Sequence, residues 1–315
     1  MNSSRTMFAA LVLCVLNLGL AQNLLAAEDF KGSWTLMQSK EAGQVRFGLS
    51  HRMHGGQSQH QSDWPLSAFQ GLDLTAPGKH DVRFTITRDA GRITCEGYLK
   101  DGEGAGVFHF APDATYVQSM KALGFTGIDE EKQFAMAVHD VSLEFVRAMK
   151  AENLEGLDTE KLIAFRIFNV NSQFIRDLRA EGLAATDVDR LIAFRIHGVT
   201  PAIVREVRKA GLKASEDQLI AMQIHGATPE WIAQMAKNGY RDLDVDKLIA
   251  FRIHGVTPAF IEKVEKLGYE HPEPDQLVAM RIHGVTPEYI ANLKSRGMKD
   301  LSIEQMVNLR IHGID

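Results

Sequence analysis

From Asp113 to the C-terminus one string returns at a nearly fixed interval, and that interval constrains the fold more than any other feature. Leu248–Pro258 reads LIAFRIHGVTP, and variants of it recur throughout this stretch. The last residue of its RIH core falls at His197, His225, His254, His283 and His312, with His139 and Phe168 at the two earlier equivalent positions. The intervals are 29, 29, 28, 29, 29 and 29 residues. A period of this size marks a stacked array in which each unit buries its apolar face only against its neighbours.

Each unit predicts a helical hairpin. Ahead of the first helix stand Asp113, Ser142, Asn171, Thr200, Thr228, Thr257 and Thr286. The side-chain oxygen of each can accept an orphan backbone N–H at a helix start. Pro201, Pro229, Pro258 and Pro287 follow in the last four units, where a first-turn proline gives up no bond. The first helix stops at Gly124, Asn153, Gly182, Gly211, Gly239, Gly268 or Gly297, residues that tolerate a left-handed backbone. The second helix starts at Asp158, Asp187, Ser215, Asp244 or Ser302, with Pro274 at its first position in the sixth unit. It stops at Gly198, Gly226, Gly255, Gly284 or Gly313, replaced earlier by Asp140 and Asn169. Phe260, Ile261 and Val264 are expected to face inward. Leu248, Ile249, Phe251 and Ile253 are expected to bury the second helix on more than one side.

Residues 28–111 have a different period. Val45, Phe47 and Leu49 alternate with polar residues or glycine, as do Val82, Phe84 and Ile86. That alternation predicts strands, five or six in an antiparallel meander with one buried face, its core filled by Trp34 and Trp64. Asp89-Ala90-Gly91 and Asp101–Gly106 read as turns, and the polar stretch His51–Asp63 reads as a loop. The expected fold class is therefore α+β multidomain. A small antiparallel β domain over residues 28–111 precedes an α-solenoid of about seven 29-residue hairpins over residues 112–315.

Residues 1–27 have the layout of a secretory signal peptide. Arg5 precedes an apolar run from Met7 to Leu20, and cleavage is expected after Ala21 or Ala27. Asn17, Gln22 and Asn23 leave the run short of the roughly 20 apolar residues a membrane span needs. The mature chain is then periplasmic or extracellular, without a membrane span. Removal of Cys14 leaves Cys95 alone, so no intrachain disulfide is available and stability comes from packing. The formal net charge is −5, and neither region has the basic excess that nucleic acid requires.

Arg195, His197, Arg252, His254, Arg281, His283, Arg310 and His312 form a ladder that is the candidate partner-contacting feature. Residues one repeat apart lie about a helix diameter apart, too far for imidazoles to share one zinc ion at ~2 Å. The simpler role of the ladder is at the ends of the second helices, where cations complement the dipole and bond free carbonyls. Tyr116, Phe145, Phe174, Trp231, Phe260 and Tyr289 share one position on the first helix, as core residues or as an aromatic groove. His51, His54 and His60 have no cysteine or acidic partner motif that would make them a metal site. No H-E-x-x-H, G-x-S-x-G or S-x-x-K string is present, so no catalytic residue and no cofactor is assigned.

The RIHGVTP repeats, together with Gly97–Phe110 (GYLKDGEGAGVFHF) leading into Tyr116–Phe125, resemble the extracytoplasmic C-terminal region of certain bacterial membrane metallopeptidases. These belong to the antirepressor family that includes β-lactam sensors, and similar repeats occur in standalone exported proteins of unknown role. The peptidase half, with its membrane bundle and zinc motif, is absent here, so no proteolytic residue carries over. The resemblance implies an envelope-facing sensory or interaction module. Two functions follow as expectations, beside a third, an unrecognised hydrolase, for which the sequence supplies no catalytic residue. One is an exported scaffold that binds a protein or peptide on the array. The other is a regulatory ectodomain whose β domain holds a small molecule or cell-wall fragment.

Overall fold

Six strands and fourteen helices follow one another along the residues that the computed structural model describes, 30–53 and 56–314. The expected signal peptide and His54 lie outside those residues. The chain divides into two compact units, Met1–Asp113 and Ala114–Asp315.

The first unit is a six-stranded antiparallel sheet made of β1 (Lys31–Gln38), β2 (Gln44–Met53), β3 (Gly56–Pro65), β4 (Lys79–Arg88), β5 (Gly91–Lys100) and β6 (Glu103–Pro112). Its spatial order is β3-β2-β1-β6-β5-β4. This is a meander that returns to its start, because β6 pairs with β1 (Trp34 opposite Gly106) while β3 and β4 remain at the two edges. The sheet is rolled. Phe47 on β2 and Phe84 on β4 are four strands apart, about 19 Å in a flat sheet at ~4.8 Å per strand. Their ring centroids are 6.0 Å apart. Trp34, Trp64 and Phe69 complete the cluster, most of it in edge-to-face contacts at 5.1–6.0 Å. The segment between the edge strands crosses the seam, where Gln70 pairs with Thr85 of β4 through both backbone directions.

Close approach fixes the glycines of β5 and β6. Gly97 lies opposite Gly106, and the Trp34 indole sits on the pair while donating from Nε1 to the Glu96 carbonyl at 3.1 Å. A Cβ on Gly106 would lie 2.0 Å from that same carbonyl oxygen and 2.7 Å from the indole nitrogen. The β5–β6 turn is therefore tighter than the six-residue stretch expected from the sequence. Asp101 and Gly102 alone turn the chain, both with positive φ (53° and 82°), and Gly104 and Gly106 belong to a strand.

His51–Asp63 is not a loop. His51 lies inside β2 on a buried position, and Gly56–Pro65 forms β3. Period-two alternation is present there, but its inward positions are Ser58, His60 and Ser62, so polarity conceals it. Ser62 Oγ accepts from Trp64 Nε1 at 2.8 Å and lies 3.0 Å from His60 Nε2, which gives these polar groups partners inside the sheet.

The second unit is the expected array: fourteen helices among the described residues, from Ala114–Ala122 to Ile303–Ile311. Ser142, Asn171, Thr200, Thr228, Thr257 and Thr286 each accept a backbone N–H at the start of a first helix. Asp158, Asp187, Ser215, Asp244 and Ser302 do the same for second helices. Every stop is left-handed, including the non-glycines Asp140, Asn153 and Asn169 at φ 51–55°. The apolar residue after most stops donates its N–H five residues back, as in Val256 to Phe251 at 2.8 Å and Tyr240 to Met235 at 3.0 Å.

Packing is by class. Second helices of units two to seven form one row, and first helices pack on first helices. Polar bonds join successive units at sequence offsets of 27 or 28 residues. At the starts of the second helices a third-position side chain reaches a first-turn acid of the next unit: Lys132 to Glu160 (2.5 Å), Lys161 to Asp189, Arg190 to Asp217 (2.9 Å), Gln218 to Asp246 (2.7 Å) and Lys247 to Asp275. At the ends of the first helices a cation donates to a carbonyl 27 residues earlier: Lys150 to Leu123, Arg179 to Glu152, Arg208 to Glu181 and Lys294 to Leu267. Units two, three, four and seven thereby close helix-end carbonyls that their predecessors leave open.

Candidate partner-binding face of the repeat array

The RIH string ends each second helix, and its three residues point to three different surroundings. Arginine turns toward the stack. Arg166, Arg252 and Arg281 donate from Nε to the carbonyls of His139, His225 and His254 at 3.0–3.1 Å, again 27 residues back. The carbonyl belongs to the preceding unit rather than to the arginine's own helix. Each guanidinium also lies over an aromatic ring of its own hairpin: Arg166 over Phe145 at 5.2 Å, Arg195 over Phe174 at 3.7 Å, Arg252 over Trp231 at 5.2 Å, Arg281 over Phe260 at 5.0 Å and Arg310 over Tyr289 at 4.8 Å. The aromatic ladder and the arginine ladder are thus one structure. The fourth unit shows the coupling by default. There Gln223 replaces arginine, and Ile203 stands at the aromatic position.

Arg195 departs from the pattern. Among the described residues it has the shortest ring distance of the five, and its Nε is buried without a hydrogen-bond partner. Burial lowers the pKa of its guanidinium.

Isoleucine turns outward. Ile167, Ile196, Ile224, Ile253, Ile282 and Ile311 are each 51–54% exposed. The expectation that Ile253 is buried is therefore wrong, for a geometric reason. At 100° per residue it lies about 140° around the helix from Leu248, whereas Phe251 lies about 60° away on the buried side. The same six residues were available in the sequence as an invariant position. Their identity suggested core, and only the helical angle assigns them to the surface. Phe168, at the histidine position of the second unit, is 37% exposed beside them.

The histidines also face outward. His197, His225, His283 and His312 are exposed and His254 is half-buried. Among the described residues none of these five imidazoles has a hydrogen-bond or ion-pair partner; the structure uses only their backbone. The result is a stripe along the row of second helices, one isoleucine per unit from the second to the seventh, with a histidine beside it in five of them. Arginines flank it.

Other candidates resolve differently. His51 and His60 occupy inward positions of neighbouring strands, and burial lowers the His60 pKa. Cys95 is fully buried, and desolvation pushes its thiol pKa up, so it has the setting of an inert core residue. Among the described residues no three His, Cys, Asp or Glu side chains gather as a metal site, and no helix is long and apolar enough to cross a membrane. No protein-family model, curated protein or solved structure matches the chain.

Proposed function

We propose that the array is a non-catalytic scaffold, in an exported and envelope-facing protein, that holds a polypeptide partner along the isoleucine–histidine stripe. One observation carries this reading. Six units retain the same apolar side chain at a position where about half of it stays in water, so burial within the array does not account for it. Exposed apolar positions in contiguous order mark interaction surfaces. The free imidazoles add a second reason, since each can donate to or accept from a peptide group.

An extended chain fits this arrangement. Successive helices in a row are about 8–10 Å apart. Three residues of extended backbone cover about 10 Å. A segment lying along the row would set one apolar side chain against each isoleucine at every third residue, with its unpaired N–H and C=O groups facing the histidines. Charge favours acidic residues between those anchors. Arg166, Arg195, Arg252, Arg281 and Arg310 border the stripe, while the neighbouring first-helix starts of units five and seven supply the carboxylates of Glu230 and Glu288.

Photo-crosslinking tests this. A crosslinker placed at Ile224 should capture one polypeptide in cells, and Ile196→Glu with Ile253→Glu should abolish capture while circular dichroism stays native. The same crosslinker at Lys237, on the opposite helix end, should capture nothing. Equal capture at the two positions, or capture unaffected by the glutamates, counts against the stripe.

A further inference from the structure

The fourth unit is the irregular one. In every other unit the second helix is capped five residues beyond the left-handed stop of the first, as in Gly239 to Asp244 and Gly297 to Ser302. Here Ser215 follows Gly211 by four, which accounts for the single 28-residue interval. The residue before the cap differs too. Ile128, Leu157, Leu243, Pro272 and Leu301 fill this place elsewhere, and the fourth unit has Ala214. In the third unit, where the place holds Thr186, Ala185 is buried next to it. A shorter loop and a smaller side chain remove apolar volume at this point in the row.

A cleft of about 470 Å³ opens at that point. Its floor is aliphatic, formed by Val204, Val207 and Leu219, and Leu183 and Leu212 stand at its sides. Its rim is cationic. Lys213 is exposed and among the described residues has no ion-pair or hydrogen-bond partner, and Arg208 reaches the Glu181 carbonyl at 2.6 Å. The Glu181 carboxylate is already engaged by Arg205 at 2.6 and 2.8 Å, with Arg208 3.8 Å away. Arg205 and Arg208 share the one Glu181 carboxylate, and Lys213 adds a further cation to the rim, leaving an excess positive charge over an apolar floor. The volume is within the range of about 300–1,000 Å³ typical of small-molecule sites.

We propose that this cleft binds an unbranched aliphatic carboxylate, its chain on Val204, Val207 and Leu219 and its head group between Lys213 and Arg208. The chain replaces the side chain that Leu157, Leu243 and Leu301 supply in other units, and the head group meets the unbalanced charge. The proposal does not depend on the isoleucine stripe, which lies at the opposite ends of the helices.

Titration calorimetry of the full mature chain with decanoate, below its micellar concentration, tests it. One saturable site per chain is expected. Ala214→Leu supplies the missing side chain and should weaken binding at least tenfold without lowering thermal stability. Lys213→Glu, at an exposed position, should weaken binding about fivefold by reversing the rim charge. Decanol should bind more weakly than decanoate. Absence of saturable binding, unchanged affinity in Ala214→Leu, or decanol binding as tightly as decanoate would each overturn the assignment.

Discussion

Removing one guanidinium from the array should cost more beside an aromatic ring than glutamine costs at the same place in the fourth unit. Arg281 makes two contacts that can be weighed separately. Its Nε donates to the His254 carbonyl at 3.1 Å, and its guanidinium carbon is 5.0 Å from the Phe260 ring centroid. A charge-assisted bond of this kind contributes about 1.5 kcal/mol net, and a cation–π contact near solvent about 0.5–1 kcal/mol. Arg281→Ala is therefore expected to destabilise by about 2 kcal/mol. Phe260→Leu keeps the site filled and removes the ring, leaving the carbonyl bond intact. The double-mutant cycle should then return a coupling of about 0.5–1 kcal/mol from urea midpoints followed by circular dichroism. The same cycle with Ile203→Ala and Gln223→Ala, where neither ring nor charge is present, should show coupling within about 0.3 kcal/mol. Equal coupling in the two units would refute the claim that arginine and ring act as a pair.

Two further outcomes are expected. Gly106→Ala puts a methyl group 2.0 Å from the Glu96 carbonyl oxygen and against Trp34, so the near-ultraviolet tryptophan signal of the β unit should be lost while the helical signal persists; a native tryptophan spectrum would contradict the packing described. Glu160 is held at a pKa of about 2 first by the hydrogen bond from Lys132, then by its own backbone N–H and the Thr159 hydroxyl. Because this folded pKa is below the ordinary 4.5, the contribution is present above that value and lost as pH falls toward 2. Solvent screening at this exposed pair limits it to at most about 1 kcal/mol, and Glu160→Gln should flatten the stability profile in that window.

The array was legible in the sequence because its determinants are local. A cap needs a short oxygen-bearing side chain, and a left-handed stop needs Gly, Asn or Asp, so Thr257, Asn153 and Asp140 could each be assigned without knowing any neighbour. The β unit was legible where inward positions were apolar, as in Phe84 and Ile86, and illegible at Ser58, His60 and Ser62, where the core side of β3 is polar. The arginines could be placed on the last helical turn from sequence, but not their partners. A carbonyl 27 residues away is specified by how one unit stacks on the next, and no local rule contains that information. The isoleucine stripe stayed hidden because a repeated apolar residue reads as core until its angle around the helix is measured against Leu248 and Phe251.

Bonds set by the period have a consequence for how such a protein can change length. The shortened loop of the fourth unit lies between the partners of one ladder contact only, and Arg190 meets Asp217 across 27 residues where its lysine counterparts need 28. The other bridges keep their spacing because the missing residue lies outside them. Whole hairpins can therefore be gained or lost at the boundaries that carry these bridges, a newcomer with the same residues finding its donor and acceptor already in place. Selection can tune reach there in steps of one unit while keeping the bridging residues as they are.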